Sequence, residues 1–365
     1  MIAAFRELAD RFLGRGEASI TVPPFDGALK PNRQLEEAEV FAELAAPEDL
    51  ATDGKALFVA DGNRVWRYAN GEAEEVARFD RLLTALCCLD DGGLAVALAG
   101  KEVRIIGGRR GDHSWHKIGG GALNAVNALS ALPDGDLLAT DGSRTQPYDR
   151  WCHDLMEGGR SGRVLRLDSA GHGDRVLAEG LGYAFGVCGA GDEILVSESW
   201  RHRVVSLRTP PLVTPVLAGL PAYPSRLTAA SGGGFWLSAF IARTQLVEFV
   251  LREPGYRRRM MKEIDPRYWV APRLSSDNTF LEPLQGAHIK TMGILKPWAP
   301  PKSYGLVIRI SPEGLPLYSL HSRVDGVNHG VVAAVELGGE LFVLAKGRRR
   351  ILRLSTVAVE EALQR

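Results

Sequence analysis

The hydrophobic and polar positions of the chain follow one pattern six times. Residues 182–207 (GYAFGVCGAGDEILVSESWRHRVVSL) are the clearest case, with short apolar runs separated by a Gly/Asp turn at 189–192 and a polar turn at 200–202. Runs of this kind predict consecutive antiparallel strands joined by hairpins. An internal repeat has to be interpreted before any single residue. The six units are residues 47–68, 83–106, 126–167, 182–207, 223–250 and 327–354.

Six small β-meanders predict a closed ring, because one meander cannot bury both of its faces and a ring leaves only short edges. A further apolar run follows several units and is expected to be the outermost strand of the preceding blade. Too few residues follow the last unit for such a strand, so residues 38–45 (AEVFAELA) are predicted to supply it. The expected fold is all-β, a six-bladed β-propeller closed by an N-terminal strand. The outer runs are residues 75–79, 175–181, 213–220 and 315–321.

Two insertions interrupt the repeat. Residues 142–162, inside the third unit, contain a segment with helical potential that stops at two glycines. Residues 253–303 are rich in proline and contain several aromatic residues, which predicts an ordered insertion before blade 6 that acts as a lid or as a contact in a homo-oligomer. The predicted domains are an N-terminal helix with a Pro-rich lead-in (1–34), the propeller (35–354) and a C-terminal tail (355–365).

Composition narrows the class of partner. Basic and acidic residues are equal in number, 44 of each, which gives no reason to expect nucleic acid or an anionic membrane as a partner. No run approaches the ~20 apolar residues of a membrane span, and residues 1–15 carry acids and do not resemble a signal peptide. The four cysteines have no metal-type spacing and are typical of free thiols in a reducing compartment. A cytoplasmic protein is therefore expected.

When the six units are aligned on their first turns, the starts of the six innermost strands coincide. Innermost strands line the axial channel, so polar residues at these positions are expected to meet at one mouth and to form a small-molecule site. Glu48 and His329 are predicted as proton-transfer groups. The predicted substrate-binding residues are Thr84, Asn127, Phe185, Arg226 and Asn328.

Several segments resemble the strictosidine synthase-like proteins, which belong to the superfamily of six-bladed propellers that includes SMP-30/gluconolactonase proteins and paraoxonases. The resemblance extends over nearly the whole chain from Asp26 to Leu354 and implies the same propeller fold. It is carried by NALSALPDGDLLATDGS (127–143), DLMEGGRSGRVLRLD (154–168), GLGYAFGVCGAGDEILVSESWRHRV (180–204) and LPAYPSRLTAASGGGFWLSAFIAR (220–243).

The hydrolases of that superfamily hold a catalytic calcium ion at the channel mouth. The resemblance places Glu48 and Asn127 at two ligand positions, whereas Phe185 and the pair Ser225-Arg226 replace other ligands. Calcium takes six to eight oxygen ligands, and Arg226 brings a permanent cation that is expected to pair with Glu48 instead. No metal and no cofactor are therefore predicted.

The resemblance also limits the chemistry. The plant synthases of the family condense an amine with an aldehyde, using a glutamate on the inner strand of the sixth blade. Residues 330–335 carry no acid here, and the nearest, Glu336, falls at the turn. The first prediction is metal-independent hydrolysis of an ester or lactone. The alternatives are a non-catalytic binding or scaffold propeller, in which Phe185 and Arg226 contact an anionic, partly apolar ligand, and a condensing enzyme of the plant type.

Overall fold

Six antiparallel sheets of four strands each form a closed ring in the computed structural model of the protein. The inner strand of each sheet contacts the inner strands of its two neighbours, and the first sheet meets the sixth. The fold is therefore a six-bladed β-propeller, as the repeat predicts. The structure describes residues 21–109, 111–168, 173–190, 193–208, 212–275, 290–291, 294–295 and 303–363.

The strands run outward from the axis in chain order within the first four blades. Blade 1 contains Pro47–Thr52, Leu57–Asp61, Arg64–Ala69 and Glu72–Arg78. Blade 2 contains Leu83–Cys88, Leu94–Leu98, Glu102–Ile106 and His113–Trp115. Blade 3 contains Val126–Ala131, Leu137–Asp141, Gly162–Leu167 and Arg175–Leu181. Blade 4 contains Ala184–Ala190, Glu193–Glu198, Arg203–Arg208 and Leu212–Leu217.

Burial follows from the stacking of the blades. A second strand has a neighbouring blade on each face, so Leu94–Leu98, Leu137–Asp141 and Phe235–Ala242 are buried at every position. The outer strand of blade 1, Glu72–Arg78, alternates between exposed and half-buried positions instead. The apolar runs of the sequence therefore mark the inner half of each blade.

Blade 6 is closed by the N-terminal strand, as predicted. It contains Val331–Leu337, Glu340–Ala345 and Arg350–Ser355, and its fourth strand is Glu39–Glu43. The registered pairs Glu39↔Arg353 and Glu43↔Arg350 join the two ends of the chain, and both pairs are also salt bridges. The edge of the last sheet is thereby covered.

The long insertion differs in position from the prediction. It lies inside blade 5, whose strands are Ala222–Ala229, Phe235–Ala242, Gly305–Ile310 and Pro316–Ser322. The fifth unit was expected to continue as strand through residue 250, but Gln245–Arg252 is a helix whose N-cap, Thr244, accepts a hydrogen bond from the Val247 backbone N–H. Its buried face repeats at helical rather than strand spacing, which explains the difference.

The remaining elements are short. The helix expected in the third unit is Trp151–Glu157, which ends at Gly158 in the left-handed conformation. Of the predicted N-terminal helix, residues 1–20 lie outside the described residues, and part of the predicted tail is a helix, Thr356–Leu363. A second helix of the insertion is Pro254–Glu263. The 3₁₀ turns are Gly27–Leu29, Tyr148–Arg150, Ser199–Arg201, Pro266–Tyr268 and Lys346–Arg348, and two-residue strands pair Lys117–Ile118 with Gly121–Ala122 and Lys290–Thr291 with Ile294–Leu295.

Candidate functional site

Every innermost strand carries an irregularity in its pairing near the end where the strand begins. In each blade the register with the second strand shifts there, which is the signature of a β-bulge. A bulge turns a side chain out of the regular alternation, so one residue per blade is directed toward the axis. The bulge residues are Glu48, Thr84, Asn127, Phe185, Arg226 and Val332, and in blades 4 and 5 the shift also includes Gly186 and Ser225.

At the sixth position the sequence alignment was wrong. It placed His329, which follows Asn328, where the structure has Val332. Both residues precede the strand and are buried in the connection from blade 5. His329 Nδ1 lies 2.5 Å from Ser303 Oγ, and its Nε2 lies 2.7 Å from the Arg323 carbonyl oxygen. Burial lowers the pKa of His329. The Asn328 amide donates to the carbonyl oxygen of Leu35 in the N-terminal lead-in.

Arg226 lies at the axis, where its guanidinium meets the main chain of four other blades. Nη2 donates to the carbonyl oxygens of Thr84 at 2.8 Å and Asn127 at 2.6 Å, and Nη1 donates to those of Glu48 at 3.0 Å and Val332 at 3.4 Å. The ring of Phe185, from blade 4, lies 5.4 Å from the guanidinium carbon. Arg226 therefore contacts the bulge residue of every other blade.

The carboxylate that pairs with Arg226 is Asp49, and the expected side-chain pair with Glu48 is not formed. Arg226 Nε lies 3.0 Å from Asp49 Oδ1 in an ion pair that lacks the geometry of a hydrogen bond. The Asp49 carboxylate also accepts the backbone N–H groups of Leu50 and, from blade 2, Leu86. Burial raises the pKa of Asp49 to about 6, although Arg226 and both N–H groups oppose the shift.

Two of the predicted binding residues form side-chain hydrogen bonds to the neighbouring blade. Thr84 Oγ1 donates to the Val126 carbonyl oxygen of blade 3, and Asn127 Nδ2 donates to that of Ala184 in blade 4. The same arrangement continues when Ser225 Oγ donates to the carbonyl oxygen of Val331 in blade 6. These hydrogen bonds hold neighbouring inner strands together, so the polar groups concerned are engaged within the fold.

Glu48 points the other way, into a cavity above the axis. Its Oε2 accepts a hydrogen bond of 2.7 Å from the Tyr148 hydroxyl and one of 2.6 Å from Lys346 Nζ. Tyr148 belongs to the insertion of blade 3 and Lys346 to the turn after the second strand of blade 6. Lys346 Nζ also lies 5.3 Å from the centre of the Tyr148 ring. We call Glu48, Tyr148 and Lys346 the mouth triad.

The cavity has a volume of about 790 Å³, the size of a site for a small organic molecule. Six aromatic side chains form part of its walls, and Thr84 and Val332 line it beside the mouth triad. On the side of blades 1 and 2 the rim is polar and more exposed, with Asp80, Arg81 and Lys101. The aromatic lining consists of Tyr148, Trp151, Tyr183, Phe185, Trp200 and Phe240.

The two insertions cover the cavity on the side of blades 3 to 5. The helix Trp151–Glu157 is held by buried Asp154, which accepts hydrogen bonds from the Ser143 hydroxyl and the Trp200 indole N–H. The long insertion packs onto this helix through the buried Trp269, whose ring contacts that of His153 at 4.7 Å. Leu274 of the same insertion lines the cavity. The part of residues 253–303 that is described thus reaches the site.

Comparison with known proteins agrees with this architecture. An adipocyte plasma membrane-associated protein of Bos taurus is 28% identical over 309 residues, covering 72% of this chain and 73% of the relative. A strictosidine synthase-like protein of Arabidopsis thaliana is 28% identical over 185 residues, covering 46% of this chain and 45% of the relative. The chain is therefore similar to the strictosidine synthase-like proteins. No family model matches it.

The solved structures similar to this chain include two gluconolactonases. A gluconolactonase from Xanthomonas campestris superimposes with a TM-score of 0.56 at 14% identity, covering 88% of this chain and 91% of the other. Identity at that level shows the fold alone. Among the described residues, no helix is both long and apolar enough to cross a bilayer.

The calcium site implied by the resemblance does not fit the residues of this chain. The Arg226 guanidinium occupies the axis, and the Phe185 ring stands where an oxygen ligand would be needed. Within the described ranges, no group of three or more His, Cys, Asp or Glu side chains is arranged to hold a metal. A permanent cation already sits among the axial oxygens and takes the place that a calcium ion would need.

Sequence reasoning missed Asp49, Tyr148, Lys346 and Val332. Asp49 carries a signal, because it is the one acid among the residues that follow the bulges. Val332 was not predicted because the sequence alignment favoured a polar residue at the sixth position. Tyr148 and Lys346 lie in turns of blades 3 and 6, and no local pattern connects them with Glu48. They meet only because the ring closes.

Proposed function

We propose that the cavity at the propeller mouth binds a small, largely apolar organic molecule and hydrolyses its ester or lactone bond without a metal. The observation that supports this best is the mouth triad at the edge of an aromatic cavity. Glu48 provides a carboxylate there, which accepts hydrogen bonds from the Lys346 ammonium group and the Tyr148 hydroxyl.

In this proposal Glu48 is the general base for an attacking water molecule. The Tyr148 hydroxyl has a single O–H donor and uses it in the hydrogen bond to Glu48, so Tyr148 orients the carboxylate. Lys346 has three N–H donors and uses one on Glu48, which leaves donors for the oxyanion that forms as water adds to the carbonyl carbon. Glu48 takes a proton from the attacking water as the oxyanion forms. The oxyanion then collapses, the bond from the carbonyl carbon to the leaving oxygen breaks, and Glu48 returns the proton to that oxygen. The products are an acid and an alcohol from an ester, or one hydroxy acid from a lactone.

Two predicted contributors are left out of this proposal. His329 lies outside the cavity and bonds to Ser303 and Arg323, so it does not serve as a proton-transfer partner of Glu48. Arg226 already binds four carbonyl oxygens and Asp49, so the cation beside Glu48 that is available for an anionic ligand is Lys346. The condensing alternative is weakened as well, because Glu336 bonds to Ser231 and Trp236 away from the cavity.

The second candidate function is binding without catalysis. The observation in its favour is that Glu48 is already engaged by two donors, which lowers its availability as a base. In that case the aromatic walls and Lys346 would select a partly apolar anion.

A panel of aromatic and aliphatic esters and lactones tests the proposal, with turnover measured with and without a chelator. We expect chelator-resistant turnover that falls by at least about a hundredfold in Glu48→Gln. Glu74→Gln, on the exposed outer strand of blade 1, is the matched control and should keep full activity. Quenching of the cavity tryptophans Trp151 and Trp200 by panel compounds that are not turned over would support the binding function instead. Loss of turnover with chelator would contradict the metal-independent mechanism.

Two expectations from the sequence stay predictions. The bovine relative is named for the plasma membrane, whereas the composition of this chain predicts a cytoplasmic protein; fractionation of cells that express it would test this. Homo-oligomerisation through residues 253–303 is tested by the mass in solution of the full chain and of a variant with a shortened insertion.

A further inference from the structure

The Arg226 guanidinium is surrounded by five oxygen atoms that come from four blades. Four are main-chain carbonyl oxygens, of Glu48, Thr84, Asn127 and Val332, and the fifth is Asp49 Oδ1. We propose that these oxygens form a cation-binding site at the propeller axis, which the chain fills permanently with its own Arg226 side chain. This inference does not depend on the proposed hydrolysis, because it concerns what holds the six inner strands together.

The first reason is electrostatic. Carbonyl oxygens that point at a common centre place their partial negative charges close together, which is unfavourable without a cation between them. The guanidinium supplies that charge, and it is enclosed, since the Arg226 side chain is only 5% exposed and that of Asp49 only 2%. A buried guanidinium has to be paired and hydrogen-bonded to be stable. Here Asp49 provides the ion pair and the four carbonyl oxygens accept hydrogen bonds from Nη1 and Nη2.

The second reason is the charge balance of the site. Asp49 contributes one negative charge, which a guanidinium neutralises completely. A calcium ion among the same five oxygens would leave one positive charge uncompensated and would still need at least one further ligand. The planar fork of the guanidinium also reaches several carbonyls at once, as a group with five N–H donors can. The site thus suits a monovalent, planar cation.

The arrangement has a consequence for Glu48. Arg226 Nη1 donates to the Glu48 backbone oxygen while the Glu48 side chain reaches the cavity. The internal cation therefore fixes the main chain from which the mouth triad projects, without itself touching the cavity. A metal ion that dissociates is not needed for this purpose.

The test is cation rescue of an emptied site. Arg226→Ala should lower the thermal unfolding midpoint by at least about 5 °C, because Asp49 and the carbonyl oxygens lose their partner. Millimolar guanidinium chloride should restore a large part of that loss, whereas equal concentrations of urea or sodium chloride should not. The wild type should show no stabilisation by guanidinium and no change with a chelator.

Two further variants keep the test decisive. Arg226→Met fills much of the space of the arginine side chain but carries no charge, so this variant should be destabilised. Guanidinium should not rescue it, because the methionine side chain occupies the space that a guanidinium ion would need. If Arg226→Ala does not fold alone, it should be recovered by refolding with guanidinium present. Ser225→Asp with Arg226→Asn adds a carboxylate and should gain calcium affinity measurable by calorimetry, which the wild type lacks.

Other results would overturn the proposal. A midpoint for Arg226→Ala equal to that of the wild type would show that the oxygens need no cation. Rescue by urea as well as by guanidinium would show that only the volume of the side chain matters. Recovery of Arg226→Ala by neither guanidinium nor calcium, with the fold retained, would show that the oxygens do not form a cation site.

Discussion

Glu48 and Asp49 are consecutive acids on the innermost strand of blade 1, but their side chains lie in different surroundings. Glu48 points into the cavity and contacts Tyr148 of blade 3 and Lys346 of blade 6, two residues that are distant in the sequence. Asp49 points into the fold and contacts Arg226 and the backbone N–H groups of Leu50 and Leu86. The bulge at this position places the two carboxylates in different environments.

The difference lies in solvent and in partners. The side chain of Glu48 is 18% exposed and its partner Lys346 is 23% exposed, so water and a ligand can reach both. Asp49 is 2% exposed and its partner is a cation that also binds four carbonyl oxygens. A pair of the first kind contributes little to stability and is available for chemistry, whereas breaking a pair of the second kind costs much more.

Opening the ring should have the largest effect, because the contacts of both Glu48 and Asp49 depend on blade 6 meeting blade 1. Deletion of residues 1–45 removes the strand Glu39–Glu43 and exposes the edge Arg350–Ser355. We expect aggregation or a fall of more than about 10 °C in the unfolding midpoint. Deletion of residues 1–20 keeps the strand and is the control. A monomer with an unchanged midpoint after the longer deletion would mean that the ring closes by other contacts.

Removal of the buried acid is expected to have the next largest effect. Asp49→Leu leaves the Arg226 guanidinium buried without its carboxylate, which should lower the free energy of unfolding by about 3–5 kcal/mol. The double variant Asp49→Leu with Arg226→Met removes both charges and should lose less than the single variant. Urea denaturation of the two variants checks this. A double variant that is less stable than Asp49→Leu would show that the pair itself is not what matters.

A dependence of stability on pH should follow from Asp49 alone. Its folded-state pKa of about 6 lies above the unfolded value of 3.8, so the folded state holds the proton more tightly. The contribution of Asp49 to the free energy of unfolding is therefore full below pH ~4, decreases by about 3 kcal/mol as the pH rises to about 6, and is constant above that. Subtracting the profile of Asp49→Asn from that of the wild type isolates it. A difference that increases over this range would mean that Arg226 lowers the pKa of Asp49 below its ordinary value.

Removal of the cavity acid should have the smallest effect on stability. Glu48→Gln replaces a half-buried ion pair with a neutral hydrogen-bonding group, so the free energy of unfolding should change by less than about 1 kcal/mol. The same variant should lose turnover, which separates function from fold at this position. A loss as large as that of Asp49→Leu would show that the mouth triad is a structural cluster.

The repeat and the closing strand could be predicted because both depend on local hydrophobic pattern. Apolar runs separated by Gly/Asp turns predict strands, and strands in six equal units predict a ring that needs a fourth strand for its last blade. The strand Glu39–Glu43 confirms the predicted segment 38–45. The position of the insertion in blade 5 was predicted wrongly. The apolar residues of Gln245–Arg252 are compatible with a strand or a helix, and only the spacing of the buried residues shows that the segment is a helix.

The sequence by itself determined the propeller, its closing strand and five of the six residues that meet at the axis, because these follow from periodicity within each unit. Only the tertiary structure decided that Val332 is the sixth, that Arg226 pairs with Asp49, and that Tyr148 and Lys346 join Glu48. Those choices depend on where a bulge turns a side chain and on which turns meet across a closed ring. Both are contacts between residues far apart in the chain, which a pattern of neighbouring residues does not contain.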